Sequence, residues 1–178
     1  MRYRRATIAG GTYFFTVNLE DRQQTLLVGH INELREALRE VKTVHPFNID
    51  AMVILPDHMH ALWTLPPGDT DYAKRWMLIK AGFSRLLPKA EQISASRQAK
   101  GERGIWQRRY WEHLIRDDRD FERHVDYIHY NPVKHGHVER AADWPWSSFH
   151  RYVRNGILPV DWGDSSDDSS SPTYGERD

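Results

Sequence analysis

Residues 47–65 read Phe47-Asn-Ile-Asp-Ala-Met-Val-Ile-Leu55-Pro56-Asp57-His58-Met59-His60-Ala-Leu-Trp-Thr-Leu65. Two apolar runs, 47–55 and 58–65, are separated only by Pro56 and Asp57, a pair that predicts a tight hairpin. A hairpin in mid-chain disfavours a wholly parallel sheet, because parallel neighbours need long crossovers. Pro66-Pro67-Gly68-Asp69 closes the second strand.

Working outward, residues 12–19 (Thr-Tyr-Phe-Phe-Thr-Val-Asn-Leu) are aromatic and β-branched and predict a buried strand. Residues 30–44 carry Ile31, Leu34, Leu38 and Val41 at helical spacing. Residues 71–87 place Trp76, Ile79, Phe83, Leu86 and Leu87 on one side, and Pro88 ends that helix. Residues 91–104 are polar and predict a mobile loop or insertion; residues 105–115 alternate and predict another strand. The stretch Arg116-Asp117-Asp118 offers an N-cap for a helix to about Tyr130, where Pro132 is expected to turn the chain. The order is βαββαβ with one further helix, that of an α+β ferredoxin-like sandwich with an antiparallel sheet and an added C-terminal helix. Residues 1–155 are expected to form this one domain. Residues 156–178, acidic and Ser-rich, are expected to be a disordered tail.

Composition narrows the class. With 178 residues there is room for one domain with its own core. No run approaches the roughly 20 apolar residues of a membrane helix, and residues 1–10 are basic without a signal peptide's apolar run. The chain has no Cys, which excludes thiolate catalysis and Cys-bound zinc and fits a cytoplasmic location. The net charge of zero conceals an asymmetry: residues 1–160 hold 24 basic and 19 acidic residues, a net of +5 that suits a nucleic-acid partner.

Two constellations carry chemistry. On a strand, His58 and His60 point the same way, as two ligands to one metal require, while Met59, Ala61 and Trp63 face the opposite, buried side. The plain alternative is a solvated strand face. Tyr127 and Asn131, four apart on a helix, share a face with His124. The Asn131 amide oxygen would serve as a third ligand, and the Tyr127 hydroxyl as a nucleophile if that helix faces the His strand. The alternative for Tyr127 is packing, and Tyr130, on another face, is the competing tyrosine.

The stretch Leu55-Pro-Asp-His-Met-His60 resembles the His-hydrophobic-His motif of HUH nucleases. Tyr127-Ile-His-Tyr-Asn-Pro-Val-Lys134 is similar to the catalytic helix of REP-associated tyrosine transposases. Gly10-Gly-Thr-Tyr-Phe-Phe-Thr16, Ile105-Trp-Gln-Arg-Arg-Tyr-Trp111 and Asp143-Trp-Pro-Trp-Ser-Ser-Phe149 add to the likeness, which spans roughly residues 1–155. The resemblance implies that His58, His60 and Asn131 hold Mg²⁺ or Mn²⁺. It further implies that Tyr127 attacks a phosphate of hairpin-bearing single-stranded DNA of the REP type, forming a 5′-phosphotyrosine, in a monomer or a homodimer. Asn131 departs from the Gln frequent in the wider group.

Arg2, Arg4 and Arg5 on an N-terminal arm, and Arg97, Lys100, Arg103, Arg108 and Arg109 around the polar loop, would grip phosphates, with Lys134 added from the helix end. Trp106, Tyr110 and Trp111 interleave with them as surfaces for stacking bases, or as core. Residues 144–149 would pack back over the sheet or cover the site. The acidic tail would mimic DNA, so that removing residues 163–178 tightens binding. Two rivals stand beside the nuclease: a hairpin-binding protein without cleavage, and a metal hydrolase that does not need Tyr127.

Overall fold

The computed structural model describes residues 7–164 and Tyr174. The arm residues Arg2, Arg4 and Arg5, and the expected disorder of residues 165–173 and 175–178, lie outside the described residues. Four strands, β1 (Thr12–Asn18), β2 (Asn48–Ile54), β3 (His58–Thr64) and β4 (Trp111–Leu114), form one antiparallel sheet in the order β2-β3-β1-β4. The helices are α1 (Leu26–Gly29), α2 (Ile31–Val44), α3 (Tyr72–Leu86), α4 (Ala95–Gln98), α5 (Asp118–Lys134) and α6 (Phe149–Arg154). The ferredoxin-like βαββαβ core is thus present, with α5 as the added helix.

Period-2 alternation sends the strands' side chains to two layers. Tyr13, Phe15 and Val17 of β1 join Met59, Ala61 and Trp63 of β3 beneath α2 and α3, where Trp63 stacks on Trp76 at 4.1 Å. The other face carries Phe14, Thr16 and Asn18 against Leu62, His60 and His58, each pair in register across β1 and β3. Helix α5 lies over that face through Val125, Tyr127 and Ile128. Asp71 caps α3 and Asp117 caps α5, each accepting a backbone N–H three residues on.

Three expectations change. Pro132 does not turn the chain: α5 continues through it to Lys134. A proline this near a helix end removes one hydrogen bond, and Asn131 and Pro132 are buried, so packing holds the last turn in place. The strand expected at 105–115 is interrupted. Residues 105–107 bridge the end of β1, residues 108–110 leave the ladder, and pairing resumes only at Trp111. Trp106 and Tyr110 turn instead toward α3, where both rings lie over Lys80. The polar stretch 91–104 is pinned rather than free. The Arg103 guanidinium donates to the carbonyls of Ser84, Leu87 and Pro88 and pairs with Glu91. Four residues also proved too few for α1 to show as a periodic pattern.

Residues 144–149 run along the outer edge of β2. The backbone N–H of Ile54 donates to Trp146 O (2.9 Å) and that of Met52 to Ser148 Oγ (2.9 Å). The chain remains packed beyond residue 155, with the Trp162 ring against Phe149 and His129. Among the described residues no helix is long and apolar enough to cross a membrane.

Candidate active site

His58 and His60 are 1% and 0% exposed, so the solvated-face alternative falls. Their rings lie 5.0 Å apart, centre to centre. Each Nδ1 is already engaged. His58 Nδ1–H donates to Asp57 Oδ1 (2.8 Å), since a carboxylate only accepts. The Arg22 guanidinium pairs with the same carboxylate and reaches Asn18 Oδ1 at 3.1 Å. Thr16 Oγ1 donates to the Tyr174 carbonyl, so it accepts from His60 Nδ1–H at 2.8 Å. Both imidazoles are therefore oriented to offer Nε2, the arrangement in which an outer partner fixes a metal-binding histidine.

Charge supports this state. Burial alone would raise the Asp57 carboxyl, but hydrogen bonds from His58 and Arg22 override it and hold it at about 2. Burial pushes the His58 imidazole below its ordinary value, against the pull of Asp57. A neutral imidazole keeps a lone pair for a cation. His58 Nε2 is buried without a hydrogen-bond partner among the described residues. Such an atom costs free energy unless something fills the place, so this donor set fits a divalent metal.

Tyr127 comes down onto this pair from α5. Its ring centre is 5.1 Å from that of His60 and 5.9 Å from that of Phe14, and the residue is 6% exposed. Its hydroxyl accepts from Lys134 Nζ at 3.2 Å and from the Tyr174 backbone N–H at 3.4 Å. Asn131, one turn on, is fully buried. Tyr130 faces elsewhere, toward Trp162, which leaves Tyr127 as the tyrosine beside the histidines. His124 shares the α5 face but turns away from the His pair: its Nδ1 donates to Asp120 O (2.7 Å) and its ring stacks on His113. His113, Asp120 and His124 form a second group with ligand-type atoms within 4.8 Å of one another. Asp120 already accepts from His113 (2.8 Å) and from both the backbone and side chain of Arg116.

The remaining candidates scatter. Arg97 pairs with Glu20 (2.7 Å) and Glu102 (3.4 Å), and Arg108 pairs with Glu102 (2.9 Å). Lys100, Arg108 and Arg109 are exposed. Arg103 serves the fold, as described above. Trp106 is 7% exposed, packs on Phe83 and donates to Lys80 O, so its ring belongs to the core. A cavity of about 670 Å³ between α3 and residues 97–110 is lined by Trp76, Lys80, Arg85, Arg97, Arg108 and Tyr110. It lies on the sheet face away from the histidines. Burial brings Lys80 there down to about 8.

Sequence reasoning missed Thr16, Arg22, Asp57, His135 and Tyr174. Asp57 was signalled by its place in the turn before His58. Arg22 sits in a polar connector with no period to read. His135, whose ring is 5.2 Å from that of His58, follows the proline that was expected to end the helix. Tyr174 is a lone aromatic in an acidic segment, yet its ring packs on His124 (4.4 Å) and Tyr127 (4.8 Å).

A sheet face of paired imidazoles beneath a tyrosine-bearing helix has known counterparts. The chain belongs to the IS200-like transposases, matching the family "Transposase IS200 like" over residues 9–131. It is 49% identical to the REP-associated tyrosine transposase of Escherichia coli (strain K12), over 98% of this chain and 96% of that one. A Haemophilus influenzae protein provisionally given the same family name is 52% identical, over 93% of this chain and 94% of that one. A solved structure of a REP-associated tyrosine transposase bound to a REP hairpin superposes with a TM-score of 0.84. It is 47% identical and covers 99% of this chain and 98% of that one. Within the family, the chain falls among the REP-associated tyrosine transposases.

Proposed function

We propose that this protein cuts and rejoins one strand of hairpin-bearing, REP-type DNA, with Tyr127 as the nucleophile. The observation that carries the reading is the meeting of Tyr127 with His60 at 5.1 Å, beside a His58 whose buried Nε2 has no described partner. His58, His60 and Asn131 would hold Mg²⁺ or Mn²⁺. When bound there, the ion supplies Lewis-acid polarisation of the scissile phosphate. The Tyr127 oxygen forms a bond to phosphorus while the bond from phosphorus to the 3′ oxygen breaks. The phenolic proton goes to solvent, and the 3′ oxygen takes one up. The 5′-phosphotyrosine preserves the energy of the phosphodiester, so a 3′-hydroxyl can reverse the step and join strands.

Hairpin recognition is inferred from the relative solved with a REP hairpin. Exposed Lys100, Arg108 and Arg109 are the described cations we assign to its phosphates, with Arg2, Arg4 and Arg5 from the arm. Tyr127 meets His60 of its own chain, which supports a site assembled within one protomer. We place the protein in the cytoplasm with the nucleoid, where such DNA resides.

Tyr174, packed across Tyr127, favours a second reading: a hairpin binder whose site stays covered. The two separate by the ends produced on hairpin-bearing single-stranded DNA with Mn²⁺. Tyrosine attack leaves a 3′ end that a polymerase extends and a 5′ end that stays capped by a tyrosyl peptide even after protease digestion. Free 5′ phosphates would instead indicate attack by water, and intact DNA across several hairpins would indicate the binder.

A further inference from the structure

Helix α5 delivers three side chains of one face to the site: Tyr127, Asn131 and Lys134, at i, i+4 and i+7. The third is present only because the helix runs on through Pro132. Had the chain turned at the proline, position 134 would have left the face two turns beyond Tyr127. Lys134 Nζ lies 3.2 Å from the Tyr127 oxygen and 4.7 Å from the ring centre, so the cation meets both the oxygen and the π face. An ammonium has three hydrogens to donate and no lone pair, so the phenol oxygen is the acceptor in this contact. Hydrogen bonds of this kind strengthen as the acceptor gains negative charge. Tyr127 is buried, at 6% exposed, and charge pairs weaken less in such surroundings than in open water.

We propose that Lys134 is a catalytic residue acting on the nucleophile itself: its ammonium stabilises negative charge on the Tyr127 oxygen as that oxygen attacks and as it later leaves. This rests on the reading of Tyr127 as the nucleophile. In cleavage, the oxygen–phosphorus bond forms, the bond to the 3′ oxygen breaks and the phenolic proton passes to water. Lys134 cannot take that proton. In rejoining, the 3′-hydroxyl attacks phosphorus and the tyrosine oxygen departs with the electron pair beside the same ammonium. One lysine therefore serves both directions, unlike a phosphate anchor, which contributes chiefly to affinity. Among the described residues, the other titratable groups seen packed on Tyr127 include His60 from β3 and Tyr174 from the C-terminal segment, with His124 one turn earlier on α5. Among the described residues, Lys134 is the basic side chain whose nitrogen meets that oxygen.

The experiment compares wild type, Lys134→Met and Lys134→Arg in single-turnover cleavage and in rejoining, with DNA affinity measured separately. The expected result for Lys134→Met is a loss of about 10-fold or more in both rate constants, corresponding to about 1.4 kcal/mol at the barrier, with Kd within twofold. Lys134→Arg should recover much of the rate. Placing a fluorinated, more acidic tyrosine at position 127 should shrink the Lys134→Met defect, which no structural or DNA-anchoring role would do. A weakened Kd with unchanged rate constants would overturn the proposal and return Lys134 to the phosphate contacts. Equal rates in all three proteins would overturn it as well. A wild-type protein that cuts DNA without any tyrosine adduct would instead overturn the nucleophile reading, and this proposal with it.

Discussion

Thr16 and His60 face each other across β1 and β3, with Thr16 Oγ1 2.8 Å from His60 Nδ1. The contact exists because strand register makes the two direct partners, and because the face they share lies under α5. It fixes which imidazole nitrogen carries the proton. Thr16→Val keeps the shape and removes the acceptor. We expect Mn²⁺ affinity to fall about 10- to 100-fold, with the fold intact, as calorimetric titration would report. Unchanged affinity would mean that the ring is oriented by something else.

Asp120 ties the start of α5 to β4. Burial would raise its carboxyl, but His113 and Arg116 override that and hold it at about 2, below the ordinary 3.8. A carboxyl lowered by folding contributes stability above its unfolded value, and that contribution is lost as pH falls through the folded value. Asp120→Asn should therefore lower stability at pH 7 by on the order of 2 kcal/mol. The gap to wild type should close between about pH 4 and pH 2. Urea midpoints at pH 7 and pH 3 check the sign, and a gap that widens on acidification would contradict it.

Tyr174 covers the groups proposed to act. Its carbonyl accepts from Thr16, its N–H donates to Tyr127, and its ring packs on His124. DNA approaching Tyr127 must displace it. Removal of residues 165–178 is expected to tighten binding to hairpin DNA and to speed cleavage several-fold, and Tyr174→Ala should give part of that gain. Binding and cleavage that stay the same at low salt would show that the cover does not compete with DNA.

Much of this was legible. The hairpin at Pro56-Asp57 and the period-2 placement of His58 and His60 need only local rules, and the Tyr127–Asn131 spacing needs only helical geometry. What escaped depends on contacts distant in sequence. Pro132 carries a local bias that packing of α5 overrides. The 105–115 pattern alternates like a strand, but Trp106 and Tyr110 find better burial against α3 than in the ladder. Arg103 reads as a DNA contact until the four partners that anchor it are seen. The partners that orient the histidines, Thr16 and Arg22, come from β1 and from a connector, and nothing in their own neighbourhoods marks them.

The role of Tyr127 as nucleophile can be read from capture of its bond to DNA. Wild type and Tyr127→Phe would be incubated with end-labelled, hairpin-bearing single-stranded DNA and Mn²⁺. Denaturing gels would then separate any adduct, and mass spectrometry would locate it. A protease-sensitive adduct on the peptide containing Tyr127 is expected in wild type, and none in the variant. An adduct that persists in Tyr127→Phe, or cleavage by that variant at the wild-type rate, would contradict it.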